Sequence, residues 1–225
     1  MTILNWFLHT ASDFTVWGGF FVVYLYHMKK YFPHILLLGY IVLFIILGIE
    51  PYARDVWYVE NGPIVAIATF LVILYWRGIR FSNLGYFMMA VLLYMHTIGG
   101  HYTFERVPFQ WFSDLFGFER NMYDRIAHFS VGFYAIGMIE YLLMKKLVAR
   151  PWIAYLLGIC LIGTVAAGYE IIEWIYAATS DPEAGAAFLG SQGDIWDAQK
   201  DMLADILGAI TATVVYVLRK VFRKA

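Results

Sequence analysis

The sequence predicts an all-α fold, a polytopic transmembrane bundle of about seven spans in a single integral membrane domain over residues 1–225. Three observations predict it. Hydrophobic residues make up 61% of the chain and charged residues only 15%, more apolar surface than a water-soluble core of this size absorbs. Apolar runs recur at roughly 14–28, 33–49, 63–76, 84–99, 126–144, 152–177 and 202–218. Finally, Lys and Arg are distributed with a strong bias along the loops between these runs.

Several runs are shorter than the ~20 residues that cross a bilayer. Their ends must therefore extend into flanking aromatic residues, which the 8 Trp and 17 Tyr supply and which suit the headgroup region. The first and third runs are the weakest, and the alternative is five or six spans with one re-entrant or interfacial helix. The N-terminal MTILNWFLHTASDF lacks the basic stretch and cleavage site of a signal peptide, so the first run is expected to remain as a span. Pro33, Pro63 and Pro151 fit helix starts. The single cysteine, Cys160, excludes an intramolecular disulfide and a Cys-based zinc cluster, and is expected to pack as a small buried hydrophobe.

Orientation follows from the short loops. With seven spans, Lys29, Lys30, Arg77, Arg80, Lys145, Lys146, Arg150, Arg219, Lys220, Arg223 and Lys224 share one side, 11 of the 16 Lys and Arg. The positive-inside rule makes that side cytoplasmic, together with the C-terminus, and puts the N-terminus outside. Of 17 Asp and Glu, only Glu140 belongs to a cytoplasmic helix end, where a snorkelling or local pairing role is expected. Glu50, Asp55, Glu60, Asp181 and Glu183 read as solvated loop acids. His9, His27 and His34 read as interfacial. The net charge of −1 gives no support for nucleic-acid binding.

The remaining acids call for more than solvation. In GDIWDAQKDMLADILGA, Asp194, Asp197, Asp201 and Asp205 fall within an arc of about 80° if the helix includes them all. Asp205 lies about 12 Å along the axis from Asp197, at hydrocarbon depth. Glu170 and Glu173 stand one turn apart above Gly163 and Ala166, small residues that allow close helix approach. Asp124 and His128 have i, i+4 spacing, and YMHTIGGHYTFERVPF offers His96, His101 and Glu105.

Four helices thus send acids and histidines to one membrane level, where like-charge repulsion demands a positive partner. One or two divalent ions, Zn, Mn, Fe or Mg, would satisfy it, with Asp124, His128, Glu170, Glu173, Asp194, Asp197, Asp201 and Asp205 as candidate ligands. His96, His101 and Glu105 would then ligate or act as proton donor and acceptor, and Arg106 or Arg125 would hold a substrate phosphate. A buried ion-pair network through Arg106, Arg120, Arg125 and Lys200, or neutral protonated acids, would answer the same repulsion.

The segments HTIGGHYTFERVPF, YDRIAHFSVGF, YEIIEW and GDIWDAQKDMLADILGA together resemble the YjdF-like family of bacterial inner-membrane proteins, a domain of unknown function, over nearly the whole chain. The resemblance implies a multi-pass location in the bacterial plasma membrane and brings no established reaction. The Asp- and Gly-containing last span has a looser similarity to VanZ-like membrane proteins.

The reading that follows is a membrane-embedded metal-dependent hydrolase with an outward-facing site, acting on a lipid-linked or phosphorylated substrate, with membrane lipids as its partners. A non-haem iron oxidoreductase acting on lipid, a cation or proton transporter, and a non-catalytic scaffold are the alternatives. The near absence of ionisable groups in the cytoplasmic halves of the spans favours a one-sided pocket over a conduit.

Overall fold

The computed structural model describes residues 30–179 and 191–223, and every regular element among them is helical. In chain order these are α1 (Lys30–Leu47), α2 (Arg54–Trp76), α3 (Asn83–Tyr102), α4 (Gln110–Phe116), α5 (Tyr123–Val131), α6 (Ala135–Met144), α7 (Pro151–Thr179) and α8 (Asp197–Phe222). A 3₁₀ turn, Gly132–Tyr134, joins α5 to α6 as one continuous rod, and another, Ser191–Gly193, precedes α8.

Five of these units are long and apolar enough to cross a membrane: α1, α2, the α5–α6 rod, α7 and α8. The run expected at 14–28 lies outside the described residues. The run expected at 84–99 does form a helix, α3, which carries His96, Thr97 and His101 and is not among these five. Its position explains that composition. Ten of its 20 residues are buried against neighbouring helices, so α3 needs little lipid-facing apolar surface, whereas α1 is almost wholly on the outside.

Two expectations are corrected here. Pro63 does not start a helix: α2 begins at Arg54 and Pro63 lies inside it. The aromatic and polar stretch before Pro63 continues the helix and brings Glu60 into it. Cys160 is not buried; it is exposed on the outer face of α7, beside the outward-facing Leu156, Leu157 and Leu161. Pro151, by contrast, is the first residue of α7.

Packing between helices in lipid depends on close contact rather than on exclusion of water, and α5–α6 meets α8 through small residues. Ala135, Ala209 and Ala212 are fully buried. A Cβ added at Gly208 would run into the Phe129 carbonyl oxygen, and one at Gly132 into the backbone of Asp205 and Ala209. Backbone therefore touches backbone at this crossing. Because Phe129 follows His128, and Gly208 lies less than one turn beyond Asp205, the crossing sets the separation of the two chemically active faces.

The opposite end of the bundle is fastened by polar contacts. Ser82 caps α3, accepting from the Gly85 N–H at 3.1 Å, and its hydroxyl donates to Glu140 of α6 at 2.6 Å. Glu140 also accepts from the Ser82 N–H at 2.7 Å, and Arg219 of α8 donates to the Ser82 hydroxyl at 2.7 Å. Glu140 is thus paired across helices, not locally. This contact gathers Arg77, Arg80, Lys145, Lys146, Arg150, Lys220 and Arg223 at one end of the bundle, while Asp197 opens α8 at the other, about 39 Å away at 1.5 Å per residue. Ser82→Ala removes the cap and is expected to cost about 1 kcal/mol. A lowered thermal midpoint in detergent, with an unchanged cofactor or metal content, is the result that checks it.

Candidate functional site

The site is assembled where the first turns of α5 and α8 face each other, with α2, α3 and α7 closing the remaining sides. Helix α8 begins at Asp197 rather than at Asp194, because the turn at Ser191–Gly193 places Gln192 and Gly193 at φ of 55° and 80°. Asp194 still joins the cluster. Its Oδ1 accepts from the Trp196 N–H at 3.1 Å, and Lys200 Nζ lies 2.9 and 2.7 Å from its two oxygens. The hydrogen bonds from Lys200 hold the Asp194 carboxyl below the usual carboxylate range.

Two tiers are distinguishable. The outer tier is an ion-pair network. Arg120 donates to Asp197 Oδ1 at 2.6 Å and lies 3.4 Å from Asp194. Arg125 reaches the same Asp197 oxygen at 2.6 Å, donates to the Asp197 carbonyl at 3.0 Å and pairs with Asp201 through Nη1. Both guanidiniums are largely buried, which makes these pairs part of the architecture rather than surface decoration.

The inner tier has less compensation. His128 Nε2 lies 3.9 Å from Asp124 and 3.7 Å from Asp201, and its Nδ1 lies 3.4 Å from Asp205. One ligand atom each from Asp124, His128 and Asp201 falls within 4.8 Å of the others. Two ligands on one ion at about 2.1 Å each can stand no more than about 4.2 Å apart, so both His128 separations fit a shared ion. Asp205 is 2% exposed and its Oδ1 faces His128 Nδ1 at 3.4 Å, while Asp201 Oδ1 is held by Arg125 Nη1.

These groups line a cavity of about 330 Å³. Its polar lining includes Asp124, His128, Asp201 and Asp205, together with Glu173 of α7 and Glu60 and His96 on the wall formed by α2 and α3. Its apolar lining includes Ile64, Ile67, Leu92 and Val165. Glu60 is therefore no solvated loop acid. It stands 3.7 Å from His96 Nε2 in the cavity wall, and the continuous run WYVEN ahead of Pro63 is the sequence feature that carries it there. Tyr169 also lines the cavity and did not stand out in the sequence.

Other candidate residues are placed elsewhere. The His101 Nδ1–H donates to the Leu47 carbonyl at 2.7 Å, and the ring packs edge-on to Trp57. Glu105 and Arg106 pair with each other at 3.4 Å on the surface, and Arg106 lies over the Tyr52 ring. Arg125 is committed to Asp197 and Asp201. Glu170 is half-buried on α7 and is not part of the cavity lining, unlike Glu173 one turn on.

Residues 32–221 match the family described as "Predicted membrane protein (DUF2238)". The chain belongs to this family. It is 31% identical over 175 residues to the inner membrane protein YjdF of Escherichia coli (strain K12), a match covering 76% of this chain and 82% of that protein. No solved structure matches. Family membership, this relative and the apolar helices make the chain a multi-pass protein of the bacterial inner membrane.

Proposed function

We propose that the chain is a membrane-embedded, metal-dependent hydrolase of a lipid-linked or phosphorylated substrate. The observation that carries this reading is the convergence of Asp124, His128 and Asp201 within 4.8 Å in a cavity that also holds the buried carboxylate of Asp205 beside the His128 ring. In this reading Asp124, His128 and Asp201 bind a divalent cation. Asp205 stands behind the ring and orients it, the usual relation of a carboxylate to a metal-bound histidine. One histidine with two carboxylates suits Zn, Mn or Fe better than Mg.

A cation held there lowers the pKa of a bound water and polarises the oxygen under attack. Facing it, His96 and Glu60 stand 3.7 Å apart in the cavity wall, and each would exchange a proton with the bound water or the leaving group rather than directly with the other. The apolar side of the cavity suits the acyl or prenyl part of an amphipathic substrate. Membrane lipids are then both surroundings and partners.

The topology that goes with this reading has seven spans, the N-terminus outside and the C-terminus cytoplasmic. Its support is the gathering of the basic loops at the end marked by Ser82, Glu140 and Arg219. The site, at the other end, would open toward the outer leaflet.

Elemental analysis of detergent-purified protein, prepared without chelators and resupplied with divalent metals, tests the reading. Wild type is expected to hold stoichiometric metal, and His128→Ala and Asp201→Ala to lose at least tenfold in affinity. A metal-free wild type removes the proposal.

A further inference from the structure

We infer that the groove between α1, α2 and α3, at the basic end of the bundle, is a binding site for one anionic phospholipid. Its acyl chain lies in the groove, and its phosphate is held by Lys30, Arg77 and Arg80. The site stands at the opposite end of the molecule from the cavity of Asp124 and His128.

Shape gives the first argument. A cavity of about 310 Å³ is walled by the three helices, open on one side, and lined almost wholly by apolar and aromatic side chains. It runs from Pro33 to Tyr40 on α1, from Trp76 back to Ala68 on α2 and from Tyr86 to Tyr94 on α3. At 1.5 Å per residue each wall is about 10–12 Å deep, close to the ~15 Å of hydrocarbon in one leaflet. The groove is preformed: the Tyr94 hydroxyl donates to the Leu36 carbonyl at 2.8 Å and fixes α1 against α3, and a Cβ at Gly39 would collide with that hydroxyl. An apolar recess of this kind stays dry, and on its open side the surrounding solvent is hydrocarbon.

Charge gives the second. Aromatic rings surround the shallow end, where His34 meets Tyr75 edge-on at 5.2 Å and Tyr75 stands 6.3 Å from Tyr86. Arg80 lies over the Tyr75 ring at 3.9 Å, Lys30 over Tyr31 at 5.4 Å, and Arg77 directly follows Trp76. Stacking holds a guanidinium plane while leaving its N–H donors to a ligand. None of the three cations enters an ion pair among the described residues. Glu140, the acid of this end, is taken up by Ser82. Cations without a carboxylate, set over an apolar groove, complement a phosphate that carries an acyl chain.

The same charge decides between occupants. The chain's own apolar run at 14–28 holds no Asp or Glu and continues into Lys29 and Lys30, so it brings cations rather than a counter-charge. A second copy inserted in the same sense brings the same basic end. A phospholipid phosphate supplies what both lack, and each basic group beside an anionic lipid is worth about fivefold in affinity.

The test titrates delipidated full chain in detergent with phosphatidylglycerol or with phosphatidylcholine of the same acyl chains, and counts bound lipid by native mass spectrometry. Wild type is expected to take up one phosphatidylglycerol at a concentration about tenfold or more below that for phosphatidylcholine. Arg77→Gln with Arg80→Gln is expected to lose that preference. Lys145→Gln with Lys146→Gln removes the same charge from the same end but outside the groove lining, and should keep the preference within about twofold. Val72→Phe on α2 and Ala90→Phe on α3 fill the groove, and each should weaken binding of both lipids while eluting as wild type on gel filtration. Equal loss in the two charge variants, or wild-type binding in both groove variants, reduces the effect to general surface charge and overturns the site. A wild type that takes up no lipid overturns it as well, its groove being filled by the 14–28 run or by a second copy.

Discussion

Gly208→Leu is expected to abolish divalent-cation binding and to lower the thermal midpoint by about 6–12 °C. The reason is the crossing of α8 with the α5–α6 rod. Even a single added Cβ at Gly208 meets the Phe129 carbonyl oxygen, and backbone cannot move aside as a flexible side chain does. Overpacking of this kind costs about 3 kcal/mol, and each kcal/mol shifts the midpoint of a chain of this size by about 2–4 °C. The helices must separate, and separation carries Asp201, the fellow ligand 3.7 Å from His128 Nε2, and Asp205, the orienting carboxylate 3.4 Å from Nδ1, away from the ring, with only about 0.5 Å to spare before the limit of about 4.2 Å for a shared ion.

Gly163→Ala supplies the control. A Cβ there meets only Ile206, at an ordinary 3.8 Å, so stability and metal content should stay close to wild type. Thermal unfolding read beside metal content separates the two outcomes. A Gly208→Leu protein that keeps wild-type metal would show that the crossing does not set the site's geometry.

The contrast between these glycines shows how the sequence can and cannot be read. Gly163 and Ala166 stand out because they lie beneath acids on one helical face, and Ala166 does line the cavity. Gly132 and Gly208 carry no such mark, since their importance lies in a contact between two helices 76 positions apart. Helix existence was legible from apolar runs because each span must satisfy its own backbone within the membrane. Helix ends were less so. The boundary placed at Pro63 left Glu60 in a loop, whereas the helix runs on from Arg54 and tolerates the proline.

The candidate site was legible in the same partial way. Helical periodicity groups Asp197, Asp201 and Asp205, and the i, i+4 spacing joins Asp124 to His128, so residues within one helix were readable. Which cation meets which acid depends on packing between helices. The sequence offers Arg106, Arg120, Arg125 and Lys200 as equivalent bases, but the fold puts Arg106 on the surface, Lys200 on Asp194 alone, and Arg120 and Arg125 inside the network. His96 and His101 likewise look interchangeable five residues apart. The intervening 500° of helical rotation at 100° per residue turns one toward Glu60 and the other toward the Leu47 carbonyl.

That sorting of bases leads to the second large effect. Arg125→Met is expected to cost about 3–5 kcal/mol, because it leaves Asp197 and Asp201 buried with a main counter-charge gone. Lys200→Met, at a half-exposed Nζ on Asp194, should cost less than about 1 kcal/mol. Arg125→Lys is expected to rescue little, since a single ammonium cannot reproduce the fork that reaches the Asp197 carboxylate, the Asp197 carbonyl and Asp201 together. Adding Asp197→Asn to Arg125→Met removes the orphaned charge and should return part of the loss, a coupling that a double-mutant cycle measures directly. Bound divalent metal should also narrow the deficit, because a cation at Asp201 substitutes for the missing guanidinium and stabilises the folded chain by mass action. Thermal unfolding of these four variants and of Asp197→Asn alone, with and without Mn²⁺, checks all of this. If Arg125→Met proves as stable as Lys200→Met, the outer tier is surface pairing, and the negative charge of the inner tier is balanced by protons.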